Sequence, residues 1–225
     1  MADATMAKLS TIAGQRWGMV TTAQAESVGV SRRQLSRMAA NGALERIAQG
    51  VYRLSGAPEP EHEAIYATWL ALGGATAPKT ETGVPAIVAA GITATVVHGI
   101  GDFFLDGFDF MVPSRKSTRL LQVRLRIRHL ERTDVRSVNG LPTLTVERTI
   151  ADLVEQWTDL SLVAGVVRDA IRTGKLVAPE RLVEYLDPIA AAQKRVDFGN
   201  GDGRSVAHDL FALAGIFPEE WDRVA

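Results

Sequence analysis

The tripeptide Gly29-Val30-Ser31 constrains the fold most strongly, because it lies between two short stretches with helical patterning. Gly29 suits the left-handed conformation that closes a helix, and Ser31 is a favourable N-cap for the helix that follows. Val30 is apolar, and we expect it to pack inward. Thr21 or Thr22 can cap the helix that precedes the turn. The segment therefore predicts two helices joined by a tight turn, as in a helix-turn-helix.

A further helix and a hairpin flank this pair of helices. Apolar residues at helical spacing predict a first helix of about three turns that ends at Gly18. These apolar residues are Leu9, Ile12, Ala13 and Trp17. Apolar runs at 44–47 and 51–54 lie on either side of a short segment that contains Gly50, which predicts a β-hairpin. The order of three helices and a hairpin predicts a winged-helix DNA-binding domain over residues 1–55.

Polar donors concentrate at the start of the third helix. In a helix-turn-helix, the N-terminal residues of the recognition helix contact base edges. Arg32 and Arg33 can donate two hydrogen bonds to guanine, and Gln34 has the amide that matches adenine. Residues in the hairpin are candidates for contacts with the DNA backbone or the minor groove. The predicted DNA-binding residues are Thr22, Ser31, Arg32, Arg33, Gln34, Arg37, Arg46, Gln49 and Arg53.

The net charge of −1 hides a segregation of charge along the chain. Residues 1–55 carry seven Lys and Arg against three Asp and Glu, and residues 111–136 carry eight against two. Arginines are common on solvated faces, and winged helices also serve as protein–protein modules. The tight turn, the basic first turn of the third helix and the hairpin occur together here, and this combination favours DNA binding.

Several sequence runs resemble the AbiEi family of antitoxins. The runs that resemble its N-terminal domain are 18–25, 29–35, 42–47 and 50–54. Thr95-Val96-Val97-His98-Gly99-Ile100 looks like the family's helix that ends in a His-Gly pair. Residues 139–153 look like its strand, its Gly-Leu-Pro turn and its helix with an Arg-Thr-x-x-Asp-Leu core.

The resemblance implies a two-domain antitoxin of a toxin–antitoxin system. In that case, the winged helix binds double-stranded operator DNA, with a dimer as one possibility, and represses its own operon. The C-terminal domain, residues 56–225, then neutralises a cognate nucleotidyltransferase toxin of the AbiEii kind. Neither activity is catalytic, and neither needs a cofactor.

A second basic surface is predicted from strand periodicity. Arg124, Arg126 and Arg128 alternate with aliphatic residues, so a period of two places the three guanidinium groups on one face of a strand. Other basic residues precede them. The complete predicted set is Arg115, Lys116, Arg119, Arg124, Arg126 and Arg128. Such a stripe can follow a phosphate backbone or dock against an acidic patch of a toxin, and the sequence leaves both alternatives open.

The sequence argues against an enzyme and against a membrane protein. It has no cysteine, its four histidines are scattered, and no hydrolase, metalloprotease or phosphate-binding motif occurs. His98 with Asp102, Asp106 and Asp109 has the ligand types of a metal site, but a loop between a helix and a strand is the preferred interpretation. The uncharged stretch 82–101 is interrupted by Gly and Pro and predicts a buried helix. We expect no metal and a cytoplasmic location, since no signal pattern opens the chain.

The whole chain is predicted to be α+β, with the N-terminal winged helix-turn-helix followed by a mixed α/β domain that ends in helices. Helical patterns cover 145–156, 160–172, 179–186 and 205–214. The leading functional hypothesis is the antitoxin. The alternatives are a stand-alone transcription regulator, whose C-terminal domain binds a small ligand or dimerises, and a degenerate nuclease-related binding module.

Overall fold

The computed structural model describes residues 2–193 and 201–216 and divides them into two compact units. The first unit runs to Thr80 and also contains residues 85–87 and 117–121. The second unit consists of residues 81–84, residues 88–116 and the described residues from Gln122 onward. The α+β fold class predicted from the sequence is confirmed.

The first unit combines four helices with a small antiparallel sheet. Its elements are α1 (Ala2–Ala13), β1 (Met19–Thr21), α2 (Thr22–Ser27), α3 (Arg32–Ala40), β2 (Leu44–Ala48), β3 (Val51–Leu54) and α4 (Glu63–Ala71). The strand order is β1-β3-β2, so β3 lies in the centre. The predicted winged helix-turn-helix, with three helices and the hairpin, is confirmed, but the first helix ends at Ala13 and not at Gly18, since Trp17 and Gly18 have positive φ. Strand β1 was not predicted, because three residues are too short to show alternation.

The core of this unit holds the helix-turn-helix in place. Leu9 from α1, Leu35 from α3 and Leu44 from β2 are all buried in one apolar cluster. Val30 in the turn joins the same cluster, as its apolar character predicts. Because side chains from every helix of the motif meet here, the direction of α3 is fixed by burial.

The predicted boundary at residue 55 lies within the first compact unit, which also contains α4. Arg53 from β3 forms ion pairs with Glu63, the first residue of α4, and with Glu45 of β2. The Trp69 indole of α4 also donates a hydrogen bond of 3.0 Å to the carbonyl of Ile87. The assignment of distinct functions to residues 1–55 and 56–225 stays a prediction.

The second unit is a mixed sheet followed by a helical layer. Its strands are β4 (Val88–Ala89), β5 (Phe108–Val112), β6 (Val123–Ile127), β7 (Val135–Val138) and β8 (Leu141–Leu144). Their order is β6-β5-β4-β8-β7; β5 is parallel to β6 and β4 is parallel to β8. Its helices are α5 (Gly91–His98), α6 (Val146–Glu155), α7 (Leu160–Arg172), α8 (Pro179–Gln193) and α9 (Gly203–Leu213), with a 3-10 helix at Arg132–Asp134.

The last four helices share one apolar core, and the predicted helical end is confirmed. Ile150 of α6, Val166 of α7, Leu186 of α8 and Leu210 of α9 are almost completely buried in it. The sequence patterning of these helices is strongly amphipathic at a period of 3.6, so their burial follows from the sequence. Helix α8 continues past Leu186 and includes Pro188.

His98 has a structural role at the end of α5. Its Nε2 lies 2.7 Å from the carbonyl oxygen of Leu144, and its own carbonyl accepts a hydrogen bond from Lys175. Burial lowers the pKa of His98, and the nearby charges of Arg136 and Lys175 act in the same direction. Within residues 2–193 and 201–216, no three metal-binding side chains converge, and no helix is long and apolar enough to cross a membrane.

We expect the free energy of unfolding to decrease as the pH falls from about 7 to about 5. The pKa of His98 is lower in the folded chain than its ordinary value of 6.5, so the unfolded chain binds the proton more readily. This part of the stability is present above pH 6.5 and is lost as the pH falls below it. His98→Gln keeps a donor for Leu144 but removes the titration.

Urea unfolding at a series of pH values tests this prediction. The wild type should lose more stability on acidification than His98→Gln. His129→Gln, at an exposed position, is the control and should behave like the wild type. Equal losses in the wild type and His98→Gln would contradict the assignment.

Candidate nucleic-acid interface

Helix α3 begins with a reciprocal cap that fixes its first turn. Ser31 is extended at φ −72° and ψ 158°, and its Oγ accepts a hydrogen bond of 3.3 Å from the backbone N–H of Gln34. The Gln34 side chain in turn accepts a hydrogen bond of 2.8 Å from the N–H of Ser31. This capping box satisfies two backbone donors. The predicted N-cap at Ser31 is therefore the observed one.

Three arginines of α3 project into solvent, and two of them, Arg32 and Arg33, lie in this fixed first turn. Leu35 is fully buried, and Arg33 and Arg37 are exposed on the opposite side of the helix. They are four residues apart, so they lie next to each other on one face. The side chain of Arg32 is 79% exposed and forms a single ion pair, with Glu26, at 3.0 Å. Within the described part of the chain, Arg33 and Arg37 have no carboxylate partner.

The hairpin of β2 and β3 forms the wing. Gly50 adopts the left-handed conformation, with φ 74°, that the turn requires. Its carbonyl accepts hydrogen bonds from the backbone N–H of Thr22, at 2.8 Å, and from the Thr22 hydroxyl, at 3.2 Å. Arg46 and Gln49 are exposed on the wing. These two hydrogen bonds hold the wing tip beside the start of α2.

Three of the predicted DNA-binding residues are engaged within the protein. Reading adenine with Gln34 would need both its amide oxygen and its amide nitrogen, and the oxygen already belongs to the capping box. The hydroxyls of Ser31 and Thr22 are likewise occupied, by the cap and by Gly50. The direct structural role of these side chains is to position α2, α3 and the wing.

The assignment of Arg53 to the DNA interface is corrected by its burial. Its side chain is only 10% exposed and is surrounded by three glutamates. Nη2 lies 2.6 Å from Glu45, while Nη1 contacts Glu63 and lies 3.7 Å from Glu59. The hydrogen bond with Glu45 raises the pKa of Arg53, with further contributions from the other two carboxylates. Arg53 therefore neutralises acidic residues of the first unit.

The predicted arginine stripe on β6 is also corrected, because each of its members faces an acid. Arg124 lies 2.8 Å from the buried carboxylate of Asp109, and Arg128 lies 2.5 Å from Glu155. The period of two is correct, and the three side chains do share one face of the strand. Acidic residues of β5 and α6 pair with the arginines of that face, so it is not an uncompensated basic surface, although the side chain of Arg124 stays 58% exposed.

The pair of Arg126 and Asp152, at the centre of this face, connects β6, α6 and the start of α5. Both Nη atoms of Arg126 bind Asp152, at 2.6 and 2.5 Å, and the Asp152 side chain is 0% exposed. Asp152 also accepts a hydrogen bond of 3.0 Å from the backbone N–H of Gly91, at the start of α5. Burial alone lowers the pKa of Arg126, but the hydrogen bonds with Asp152 and the negative charges of Asp152, Asp109 and Glu155 together outweigh burial and raise the pKa.

The remaining three residues of the predicted second surface are exposed. Arg115 and Lys116 belong to the second unit and Arg119 belongs to the first. No ion pair is formed by any of them within residues 2–193 and 201–216. Their role in contacting DNA or a protein stays a prediction.

Glu26 is the residue at this site that the sequence analysis missed. It is in α2, six positions before Arg32, and the turn brings the two side chains together. The sequence feature that could have indicated this pair is an acidic residue shortly before the turn, followed by arginines at the start of the next helix. Sequence separation alone does not reveal such a pair, because the two residues belong to different helices and the turn between them sets their distance.

The fold defines the first unit as a winged helix-turn-helix domain with an exposed basic third helix. Residues 8–55 match the model of a family described as a transcriptional regulator, the AbiEi antitoxin. The match extends from within α1 to the end of β3, so the resemblance of the N-terminal region is confirmed. The resemblance in residues 95–100 and 139–153 stays a prediction.

A solved structure is similar over nearly the whole chain. The crystal structure of the RV2827C protein from Mycobacterium tuberculosis matches with a TM-score of 0.54 and 17% sequence identity. The match covers 98% of this chain and 80% of that one. At this identity the likeness shows the fold alone. No curated protein matches the chain.

Replacing Asp152 by Asn should destabilise the second unit strongly. The change leaves the guanidinium of Arg126 without its buried counter-charge, and removing one partner of a buried pair costs about 3–5 kcal/mol. Arg128→Met is the matched control, because it removes the half-exposed pair with Glu155, and exposed pairs contribute about 0–1 kcal/mol. Urea unfolding measures both. Similar losses in the two variants would contradict the central role of the Arg126–Asp152 pair.

Proposed function

We propose that this chain is a sequence-specific DNA-binding regulator and the antitoxin of a toxin–antitoxin system. The observation that carries the DNA-binding proposal is the set of three exposed arginines on α3, at Arg32, Arg33 and Arg37. They lie at the start and on the outer face of the recognition helix, where major-groove contacts are made. Arg46 and Gln49 on the wing extend the same interface to the backbone or the minor groove.

The family match supports the regulatory half of this proposal. The matched region is the winged helix-turn-helix itself, and the family is described as a transcriptional regulator. We propose that the chain represses its own operon by binding operator DNA in the cytoplasm, and that it has no catalytic role. Arg33 and Arg37 are exposed and have no carboxylate partner among the residues that the structure describes, which suits phosphate binding, in which each neutralised phosphate releases counterions.

The second unit is the candidate toxin-binding part. We propose that it neutralises a nucleotidyltransferase toxin without using the β6 arginines as a basic docking surface, since their charges are compensated. Arg115 and Lys116 form no ion pair with the described residues of this unit and are the candidate contacts with an acidic patch. The alternative is a stand-alone regulator whose C-terminal domain binds a small ligand or dimerises.

Replacing Arg32, Arg33 and Arg37 together by Ala should abolish specific DNA binding. We expect at least a roughly 100-fold loss of affinity for the promoter DNA upstream of the gene. The slope of log affinity against log salt should become shallower by about 2, since each phosphate contact contributes about 0.9. Fluorescence anisotropy with a labelled duplex at several salt concentrations measures both quantities.

Arg172→Ala provides the matched control, because Arg172 is equally exposed, at 74%, but lies on α7 of the second unit. It should leave affinity and salt slope unchanged. Thermal unfolding should be the same for all three proteins, since the mutated side chains are exposed. Full DNA affinity in the triple variant would refute α3 as the recognition helix.

Co-expression with the neighbouring gene product separates the antitoxin from the stand-alone regulator. The full chain should restore growth and co-purify with the toxin, and the triple arginine variant should do the same. The full chain is the correct protein for this test, because residues 85–87 and 117–121 belong to the first unit and truncation would divide it. Intact DNA binding without growth rescue or complex formation would establish the stand-alone regulator.

A further inference from the structure

Glu26 and Arg32 form an ion pair across the turn of the helix-turn-helix. Oε1 of Glu26, near the end of α2, lies 3.0 Å from Nε of Arg32, the first residue of α3. The two side chains are 43% and 79% exposed, so the contact contributes little to folding stability. Its position at the start of the recognition helix points to a role in binding.

The contact with Glu26 determines which N–H donors of Arg32 remain available to DNA. A guanidinium group has five N–H donors in a rigid plane. Glu26 engages the Nε side, and within residues 2–193 and 201–216 neither Nη1 nor Nη2 of Arg32 has a hydrogen-bond partner. The outer edge with both Nη atoms is therefore free. That edge matches the O6 and N7 acceptors of guanine in the major groove.

The other two arginines of α3 lack such an anchor. Arg33 and Arg37 are exposed and have no carboxylate partner among the described residues. Their long side chains keep their rotamer freedom, which suits contacts with phosphates that vary little with sequence. A restrained side chain loses less freedom when it binds, so Arg32 is better prepared than its neighbours for a directional contact.

We propose that Glu26 is a positioning residue that orients Arg32 to read one guanine, while Arg33 and Arg37 bind phosphates. This inference rests on the proposed DNA-binding function. The carboxylate also repels phosphates, so Glu26 lowers affinity for DNA of any sequence while it raises discrimination. Glu26 thus makes binding more selective at one base pair.

The test begins with selection of preferred duplexes from a random library by the full-length wild type. Each position of the selected site is then substituted, and affinities are measured by fluorescence anisotropy. Arg32→Ala should lose discrimination at one G·C pair, where the wild type prefers guanine by roughly tenfold or more. Arg33→Ala should weaken binding to all duplexes alike.

Variants of Glu26 distinguish positioning from simple charge repulsion. Glu26→Ala should reduce the preference at the Arg32 base pair to less than about threefold, and should bind unrelated DNA more tightly than the wild type does. Glu26→Gln retains an oxygen acceptor for Nε, so it should keep most of the preference while sharing the tighter unspecific binding. The double variant Glu26→Ala/Arg32→Ala should have the same base preference as Arg32→Ala alone, because Glu26 affects this preference only through Arg32.

Three results would overturn the inference. If Glu26→Ala keeps the full guanine preference, Glu26 acts only as a repelling charge. Arg32→Ala must affect one position, and a uniform loss would make Arg32 a phosphate contact. Failure of the wild type to select any sequence would refute the proposed function itself, and the inference with it. Arg172→Ala, which lies on α7, should match the wild type throughout.

Discussion

The placement of α3 depends on the turn that precedes it. Gly29 takes the left-handed conformation at φ 82°, Val30 is buried, and Ser31 exchanges hydrogen bonds with Gln34. A cap of this type contributes about 1 kcal/mol, which is small beside the burial of Leu35, but it fixes the residue at which the helix starts. Because the start is fixed, the arginines of the first turn project into solvent, and the proposed interface follows from this local geometry.

Charge has two separate uses in this molecule. Arg53 and Arg126 are each surrounded by carboxylates of their own unit and connect strands with helices. Among the described residues, Arg32 pairs only with Glu26, and Arg33 and Arg37 pair with no acid, so these arginines stay available to an external polyanion. A net charge of −1 is compatible with DNA binding, because most of the acidic residues that balance the basic ones lie away from α3.

The helix-turn-helix and the wing could be predicted because their signals are local. Caps, left-handed glycines and short-range periodicity are all visible within about ten residues. The partners of the β6 arginines could not be predicted, because alternation shows which side chains share a face but not what covers that face. Asp152 reaches Arg126 from 26 residues further along the chain. The position of Arg53 on a strand was predicted correctly. Its pairing with glutamates could not be predicted, because the strand pattern does not show which side chains lie beside it.

The central claim is that α3 and the wing form the DNA-binding surface. Backbone amide chemical shifts of the full-length, isotope-labelled chain, recorded with and without a selected duplex, test it most directly. The account predicts that the largest changes fall on residues 31–37 and on the wing around Gln49, with the core of the second unit unaffected. Changes confined to the second unit, with α3 and the wing unaltered, would contradict it.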